Sequence, residues 1–439
     1  MNANSIPLWT LIPFILMLLS IAVFPLVKAT EHLWENNKNK LIVSILLSIP
    51  VIIIFAVNGM FGAIVHQIVY DYIPFIALLL SLFIVTGGIF INVDVKAKPI
   101  VNTAFLAIGM VLASFMGTTG AAMLLIRPLL NINKQRENKV HVILFFIAVV
   151  ANCGGLLTPL GDPPLFMLYL RGASFGWFFN LIPEWLVAGL LLIAIFFIYD
   201  TVMYKKEKPE NIIKDNKEFE PLSIKGKVNF VLLLGVVASV AFINGQYFTF
   251  CEDSHHNDNV MKLVQSGVLL VIGLVSLLLT NKKLRYEDNK FSWSPILEVA
   301  ALFLGIFVTM VPALMYLQAH APSMGLEKDW QFYYITGALS SFLDNTPTAL
   351  AFHSVALGLD YSTYEGVMVA GIPEYLLKAI STAAVFFGAM TYIGNGPNFM
   401  VKAIAEQSGV KMPDFFRYIY KFALIYVLPV YIIVQLIFI

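Results

Sequence analysis

The feature that most constrains this chain is a series of apolar runs, each roughly 20 residues long and therefore long enough to cross a ~30 Å hydrocarbon core as a helix. Clear examples are Pro7–Val27, Leu41–Val57, Ile73–Ile91, Val228–Tyr247, Leu263–Thr280, Pro295–Leu317 and Phe415–Ile439. Only 13% of the 439 residues are charged, whereas soluble domains carry about 25%. The sequence therefore predicts an all-α polytopic membrane protein that contacts the lipid bilayer over most of its length.

Positive charge in the loops sets the predicted orientation of these spans, because lysine and arginine are enriched on the cytoplasmic side. The longest polar stretch, Lys205–Lys227, is rich in lysine, and Lys282–Lys290 is also basic. Between them, Cys251–Asn259 contains acidic residues and no lysine. We therefore expect 205–227 to be a cytoplasmic loop, Cys251–Asn259 to be external, and the N-terminus to lie outside.

Two segments are too short to cross the membrane twice, yet both of their ends are predicted on one side. Ile100–Leu130 has lysine or arginine at both flanks, and Phe332–Leu359 has acidic flanks poor in lysine. Each fits a re-entrant hairpin, over 100–130 with its tip at Gly117–Gly120 and over 332–359 with its tip at Asp344–Pro347. Irregular backbone at membrane depth is tolerated where protein buries it or where it lines a polar cavity. The two tips therefore predict a site.

Two pairs of segments repeat along the chain in the same order. Ser114–Met123 matches Ser341–Leu350 at Ser, Phe, Thr and Ala, and Thr158–Met167 matches Thr391–Met400 at Thr, Gly, Pro, Phe and Met. Because the predicted orientations of the matched segments are opposite, we expect two inverted-topology repeats, an arrangement typical of secondary transporters. The predicted units are N-terminal scaffold helices over 1–72, a first repeat over 73–204 and a second over 228–439.

Each repeat also contains a predicted broken helix, over 140–170 and over 373–402. The interruptions Gly161–Pro164 and Gly394–Pro397 combine glycine with proline, which lacks the backbone donor that a helix needs. A single interruption of this kind is more often a simple kink, but two matched interruptions paired with two matched hairpins favour a site. Freed carbonyls can bind a cation, and freed N–H groups at a helix start can bind an anion.

These motifs also carry a family resemblance. Thr158–Phe166 (TPLGDPPLF), Leu343–Leu350 (LDNTPTAL) and Gly388–Phe399 (GAMTYIGNGPNF) resemble the ion transporter superfamily. Within it they are most similar to NhaD-type sodium/proton antiporters and related citrate transporters, over nearly the whole chain. The resemblance implies a scaffold domain, a mobile transport domain with elevator-type movement, and a homodimer. It also implies a multi-pass protein of a bacterial inner membrane.

The chain departs from the dicarboxylate branch of that superfamily at the hairpin tips. That branch has Ser-Asn-Thr at both tips, whereas here the tips read Gly117-Thr118-Thr119 and Asp344-Asn345-Thr346. The departure counts against a carboxylate symporter that binds two sodium ions.

Two intramembrane carboxylates are the leading candidates for ion coupling, since a charge near the bilayer centre is costly and is functional by default. Asp344 ranks first, because Na⁺ and a proton that compete for one carboxylate give exchange. Its alternative role is to cap a half-helix. Asp162 ranks second, as a cation ligand or proton carrier, and its alternative role is to form the turn before Pro163. Neutral oxygens that suit Na⁺ come from Asn345, Thr346, Thr118, Thr119, Thr158, Thr391 and Asn395, with Asn152 and Asn398 as weaker candidates.

The predicted function is antiport that exchanges cytoplasmic Na⁺ or Li⁺ for protons by alternating access. Cation-coupled uptake of a di- or tricarboxylate such as citrate is the alternative, and arsenite export is a third possibility with little support. The sequence has no nucleophile–base constellation or nucleotide motif, so we expect no enzymatic activity and no cofactor other than the transported Na⁺ and H⁺. We expect monovalent cations and a second copy of the chain as partners, with no nucleic acid and no transition metal.

Overall fold

The computed structural model describes residues 6–25, 27–217 and 220–439. Residues 1–5, 26, 218 and 219, which belong to the predicted N-terminal helices and to the predicted loop 205–227, lie outside this part. Within it, eight helices are long and apolar enough to cross a membrane: Asn37–Val57, Phe61–Thr86, Pro99–Met116, Val140–Leu157, Phe175–Tyr204, His256–Leu279, Ser294–Met324 and Phe415–Phe438. The protein is thus helical and polytopic, as the apolar runs predict.

The first half of the chain consists mainly of helices. In chain order they are α1 (Ile12–Val23), α2 (Lys28–Trp34), α3 (Asn37–Val57), α4 (Phe61–His66), α5 (Ile73–Thr86), α6 (Pro99–Met116), α7 (Thr118–Ile132), α8 (Val140–Val149), α9 (Pro163–Leu170) and α10 (Ile182–Tyr204). A π-helical segment, Gln67–Tyr72, joins α4 to α5 in one continuous helix. The boundary at residue 72 that the sequence suggests therefore falls inside a helix.

The polar connection 205–227, which the sequence predicts as a cytoplasmic loop, contains regular secondary structure. It contains α11 (Pro209–Lys217) and strand β2 (Glu220–Lys225), which pairs antiparallel with β1 (Phe90–Asp94). The side chain of Asp215 accepts the backbone N–H of Ala97 at 3.0 Å, which ties α11 to the chain just before α6. A polar run excludes a membrane span, but it does not exclude helix or strand folded against the end of the bundle.

The second half continues with the same kind of elements. They are α12 (Val228–Phe242), α13 (Ser254–Leu279), α14 (Ser294–His320), α15 (Asp329–Ser340), α16 (Asn345–Leu357), the short strands β3 (Met368–Val369) and β4 (Ile372–Pro373), α17 (Glu374–Phe387), α18 (Gly396–Gln407), α19 (Phe415–Tyr418) and α20 (Leu428–Phe438). A second π-helical segment, Ile419–Val427, joins α19 to α20.

Four interruptions coincide with the predicted tips and breaks. The first tip is a single residue, Gly117, whose φ of +80° favours glycine. The others are 341–344 between α15 and α16, 158–162 before α9, and 391–395 before α18. Across these interruptions α9 packs against α16, and α18 packs against α7. Each half-helix that follows a tip thus pairs with a half-helix that follows the break of the other half.

Candidate functional site

Asp162 lies where the four interruptions meet. Only 1% of the residue is exposed, and its carboxylate accepts hydrogen bonds from three neutral donors. Thr118 Oγ1 at the first tip donates over 2.7 Å, Asn345 Nδ2 at the second tip over 2.5 Å, and Asn395 Nδ2 in the second break over 3.3 Å. One carboxylate therefore joins both tips and both breaks.

The side chain of Asp162 does not cap the helix that follows it. Asp162 occupies the N-cap position of α9 but makes no capping hydrogen bond there. Asp162 therefore does not cap α9 with its side chain. Its carboxylate instead binds the three donors from other segments. A buried carboxylate held by neutral donors can accept either a proton or a hard cation such as Na⁺.

Matched residues of the two halves make the same hydrogen bonds. Thr158 Oγ1 donates to the backbone carbonyl of Ser114, and Thr391 Oγ1 donates over 2.5 Å to that of Ser341. Each of these threonine hydroxyls also accepts the backbone N–H two residues later, over 3.2 Å in both halves. The hydroxyls thus tie each hairpin to the adjacent break, and the structure gives these two predicted ion ligands a positioning role.

A group of asparagines extends from the carboxylate into the protein. Asn395 Nδ2 also donates to Asn152 Oδ1 over 3.2 Å, and Asn152 Nδ2 donates to Asn398 Oδ1 over 2.8 Å. Asn398 Nδ2 in turn donates to the carbonyl of Gly388 over 2.7 Å. A Cβ atom at Gly388 would lie 2.7 Å from Asn152 Oδ1, so only glycine leaves room for the Asn152 amide that Asn395 binds. The sequence offers Asn152 and Asn398 only as weaker candidates, and the structure places both in the hydrogen-bonded group that extends from Asn395.

Asp344 lies at the second tip, where the sequence predicts it, but its carboxylate binds its own helix. Its carboxylate accepts the backbone N–H of Thr346 over 2.9 Å and so caps α16, and the residue is only half-buried. It lies near enough to Asp162 for the two carboxylates to repel each other. The carboxylate at the centre of these hydrogen bonds is that of Asp162, while Asp344 caps α16 and its role in ion binding stays a prediction.

The remaining predicted residues lie at the edges of this centre. Thr346 is buried in the first turn of α16. Thr119 is half-buried and lines a small, mostly apolar cavity between the first tip, α5 and the start of α14, beside Leu82 and Ile296. Of the two threonines at the first tip, Thr118 is therefore the one that reaches the carboxylate.

The four half-helices that follow the interruptions all begin at this centre. α7, α9, α16 and α18 direct their N-terminal ends toward it, and the N-terminal end of a helix carries partial positive charge that favours anions. Among the described residues, no lysine, arginine or histidine donates to Asp162. Gly396, in the first turn of α18, is exposed, and nothing lies within 4 Å of a Cβ built there.

A family model described as "Putative citrate transport" matches residues 3–439 of the chain. The chain belongs to this family. The match covers both tips and both breaks, and it agrees with the citrate-transporter part of the resemblance that the motifs carry. It identifies a multi-pass membrane protein of a transporter family, and it points away from an enzyme. A comparison with curated proteins gives no match.

Proposed function

We propose that this protein is a secondary transporter that couples the movement of a di- or tricarboxylate such as citrate to a cation, either Na⁺ or a proton. The observation that carries the proposal is the convergence of the starts of α7, α9, α16 and α18 on a buried polar centre. Such ends favour a negatively charged group. The family description is consistent with a citrate-like substrate.

In this proposal Asp162 binds the coupling cation. Thr118, Asn345 and Asn395 now direct donors at the carboxylate, but each of these side chains also carries an oxygen. Rotation of the amides and of the hydroxyl exchanges donor for acceptor, so the same three residues and Asp162 can surround Na⁺ with oxygen ligands. A proton on Asp162 achieves the same neutralisation. Either event removes the charge that would repel an arriving carboxylate.

Alternating access follows from the same arrangement. The matched bonds of Thr158 and Thr391 support two inverted repeats, each consisting of a re-entrant hairpin and a broken helix. In our proposal these elements move together as a transport domain, in an elevator-type motion against the remaining helices and within a homodimer. The lysine-rich segments face the cytoplasm of a bacterial cell, which leaves the N-terminus outside.

Exchange of Na⁺ or Li⁺ for protons, without a carboxylate, is the second candidate function. The composition of the centre favours it, because the groups that touch Asp162 are neutral and the nearest charge is a second carboxylate, Asp344. Under this function Asp162 alternates between Na⁺ and a proton.

Flux in proteoliposomes distinguishes the two functions. The vesicles contain a pH-sensitive dye, and Na⁺, Li⁺ or K⁺ is added outside with or without labelled citrate. Carboxylate transport predicts cation-dependent citrate uptake, and no internal pH change when Na⁺ is added alone. Antiport predicts an internal pH change upon Na⁺ addition without citrate, and no uptake of label. Protein-free vesicles are the control.

A further inference from the structure

A second cavity, remote from Asp162 in the chain, opens at the end of the molecule where α8 begins. It has a volume of about 360 Å³ and lies between the start of α8, the late part of α10, the loop after α18 and the C-terminal helix. Its walls combine two kinds of residue. The cationic ones are Lys411, Arg417 and Lys421, and the apolar or aromatic ones are Leu144, Phe145, Tyr199, Phe422 and Tyr426.

The charge at the mouth of this cavity is unbalanced. Lys411 and Lys421 are exposed and form no ion pair within the described residues. Arg417 has one acidic neighbour, Asp414, at 3.5 Å, and that carboxylate is also occupied as the N-cap of α19. Three cations therefore face a single carboxylate. Arg417 and Lys421 are four residues apart, close to one helical turn, so they project from the same face.

His141 also lines this cavity but adds no unpaired charge to it. His141 Nε2 contacts Asp200 Oδ1 at 2.7 Å, and the same oxygen lies 2.6 Å from Arg136. His141, Arg136 and Asp200 are all buried. The group is thus internally compensated, and the three exposed cations decide the charge that a ligand meets.

The position of the cavity relates it to the membrane surface. Arg417 and Lys421 lie near the start of Phe415–Phe438, a helix that is long and apolar enough to span a membrane and that exposes Phe416, Leu424 and Ile425. The cationic mouth therefore lies at the polar end of a span, next to apolar surface that suits lipid. The wall on the C-terminal helix includes Phe422, within the π-helical segment, a departure from regular helix that is common at functional sites.

We propose that this cavity binds an anionic glycerophospholipid. The phosphate of the headgroup lies among Lys411, Arg417 and Lys421, and an acyl chain lies along the half-buried Tyr199 and Tyr426. Basic pockets between membrane helices suit anionic headgroups. A soluble phosphate ester would use the cations but would leave the half-buried Tyr199 and Tyr426 and the exposed apolar side chains at the start of the C-terminal span uncovered, so the combination favours a lipid.

Native mass spectrometry of the whole protein tests this proposal. The purified protein is equilibrated in mixed micelles with equal amounts of phosphatidylglycerol and phosphatidylcholine, and the retained lipids are counted. We expect the wild type to retain phosphatidylglycerol with a preference of roughly tenfold or more, since each nearby cation strengthens the attraction to an anionic lipid. The variant K411Q/R417Q/K421Q should show no preference.

The matched control is K205Q/K206Q/K214Q, which removes the same charge from exposed lysines outside the cavity and should keep the preference. If the triple variant fails to fold, K411Q/K421Q changes only the exposed, unpaired lysines and should still reduce the preference. Equal retention of both lipids by the wild type, or an undiminished preference in the cavity variants, would overturn the proposal. Displacement of the lipid by millimolar glycerol phosphate would also overturn it, because the site would then bind a soluble anion.

Discussion

The two halves of the polar centre have the same hydrogen-bond frame and different charge. In both halves a threonine of the break binds a serine carbonyl of the hairpin. Four residues after each of these threonines, however, the first half has Asp162 and the second has Asn395. These two side chains are hydrogen-bonded to each other. Two carboxylates at this distance would repel each other. The comparison teaches that the shared frame positions the centre, whereas the unmatched pair determines its chemistry.

The largest effect is expected from removing the charge of Asp162. Asp162→Asn should reduce transport by roughly 100-fold or more, because a carboxylate that accepts three hydrogen bonds is replaced by a neutral group. The measurement is the initial rate of labelled citrate uptake into proteoliposomes. The control is Asp360→Asn, the same change at an exposed turn. Uptake at the wild-type rate by Asp162→Asn would remove this residue from the mechanism.

A double substitution tests whether the two matched positions are interchangeable. We expect D162N/N395D to remain inactive, although it keeps one carboxylate and one amide in the centre. Asn395 Nδ2 faces two acceptors, Asn152 Oδ1 and the carbonyl of Ala151. A carboxylate there would meet oxygens rather than donors, at a cost of about 1–3 kcal/mol. Recovery of uptake relative to the single variant would show that the charge can move between the halves.

The frame itself should respond equally in both halves. Thr158→Val and Thr391→Val each leave a buried serine carbonyl without its donor, which should lower stability by about 1–3 kcal/mol. Thermal unfolding of the detergent-solubilised protein measures this loss. A much larger loss in one half than in the other would show that the two frames are not equivalent. Thr119→Val is the control, since Thr119 is half-buried and lines a mostly apolar cavity.

The smallest effect is expected at the second carboxylate. Asp344→Asn should change the uptake rate by less than about threefold, because asparagine is about as good an N-cap as aspartate. Citrate uptake in the same vesicles as for Asp162→Asn provides the comparison. A loss as large as that of Asp162→Asn would show that Asp344 takes part in ion coupling, as the sequence predicts.

Much of the frame could be predicted from the sequence, and the reason is physical. Loop charge and segment length locate both hairpin tips, and the glycine–proline pairs locate both breaks, since these properties depend on local sequence and on the thickness of the membrane. The structured connection 205–227 could not be predicted in this way, because its polar residues say only that it lies outside the membrane. Its pairing with β1 depends on contacts with a distant part of the chain.

The relative roles of the two carboxylates were also beyond the sequence. Asp344 stands in the most specific motif, and both residues are acids at helix interruptions. Only packing shows that Asn345 reaches across to Asp162, 183 positions away in the chain, while Asp344 turns back to its own helix. In the same way, a threonine next to a break suits ion binding and carbonyl binding equally well, and only the structure shows that Thr158 and Thr391 contact serine carbonyls of the hairpins.

The most direct test of the central claim, that the coupling cation binds at Asp162, is a thermal-shift titration with NaCl against choline chloride. A ligand that binds only the folded protein raises its unfolding temperature as its concentration rises. We predict that Na⁺ stabilises the wild type and Asp344→Asn, and that it has no specific effect on Asp162→Asn. The same titration at several pH values shows whether a proton replaces Na⁺. Na⁺ stabilisation that persists in Asp162→Asn and disappears in Asp344→Asn would contradict the account.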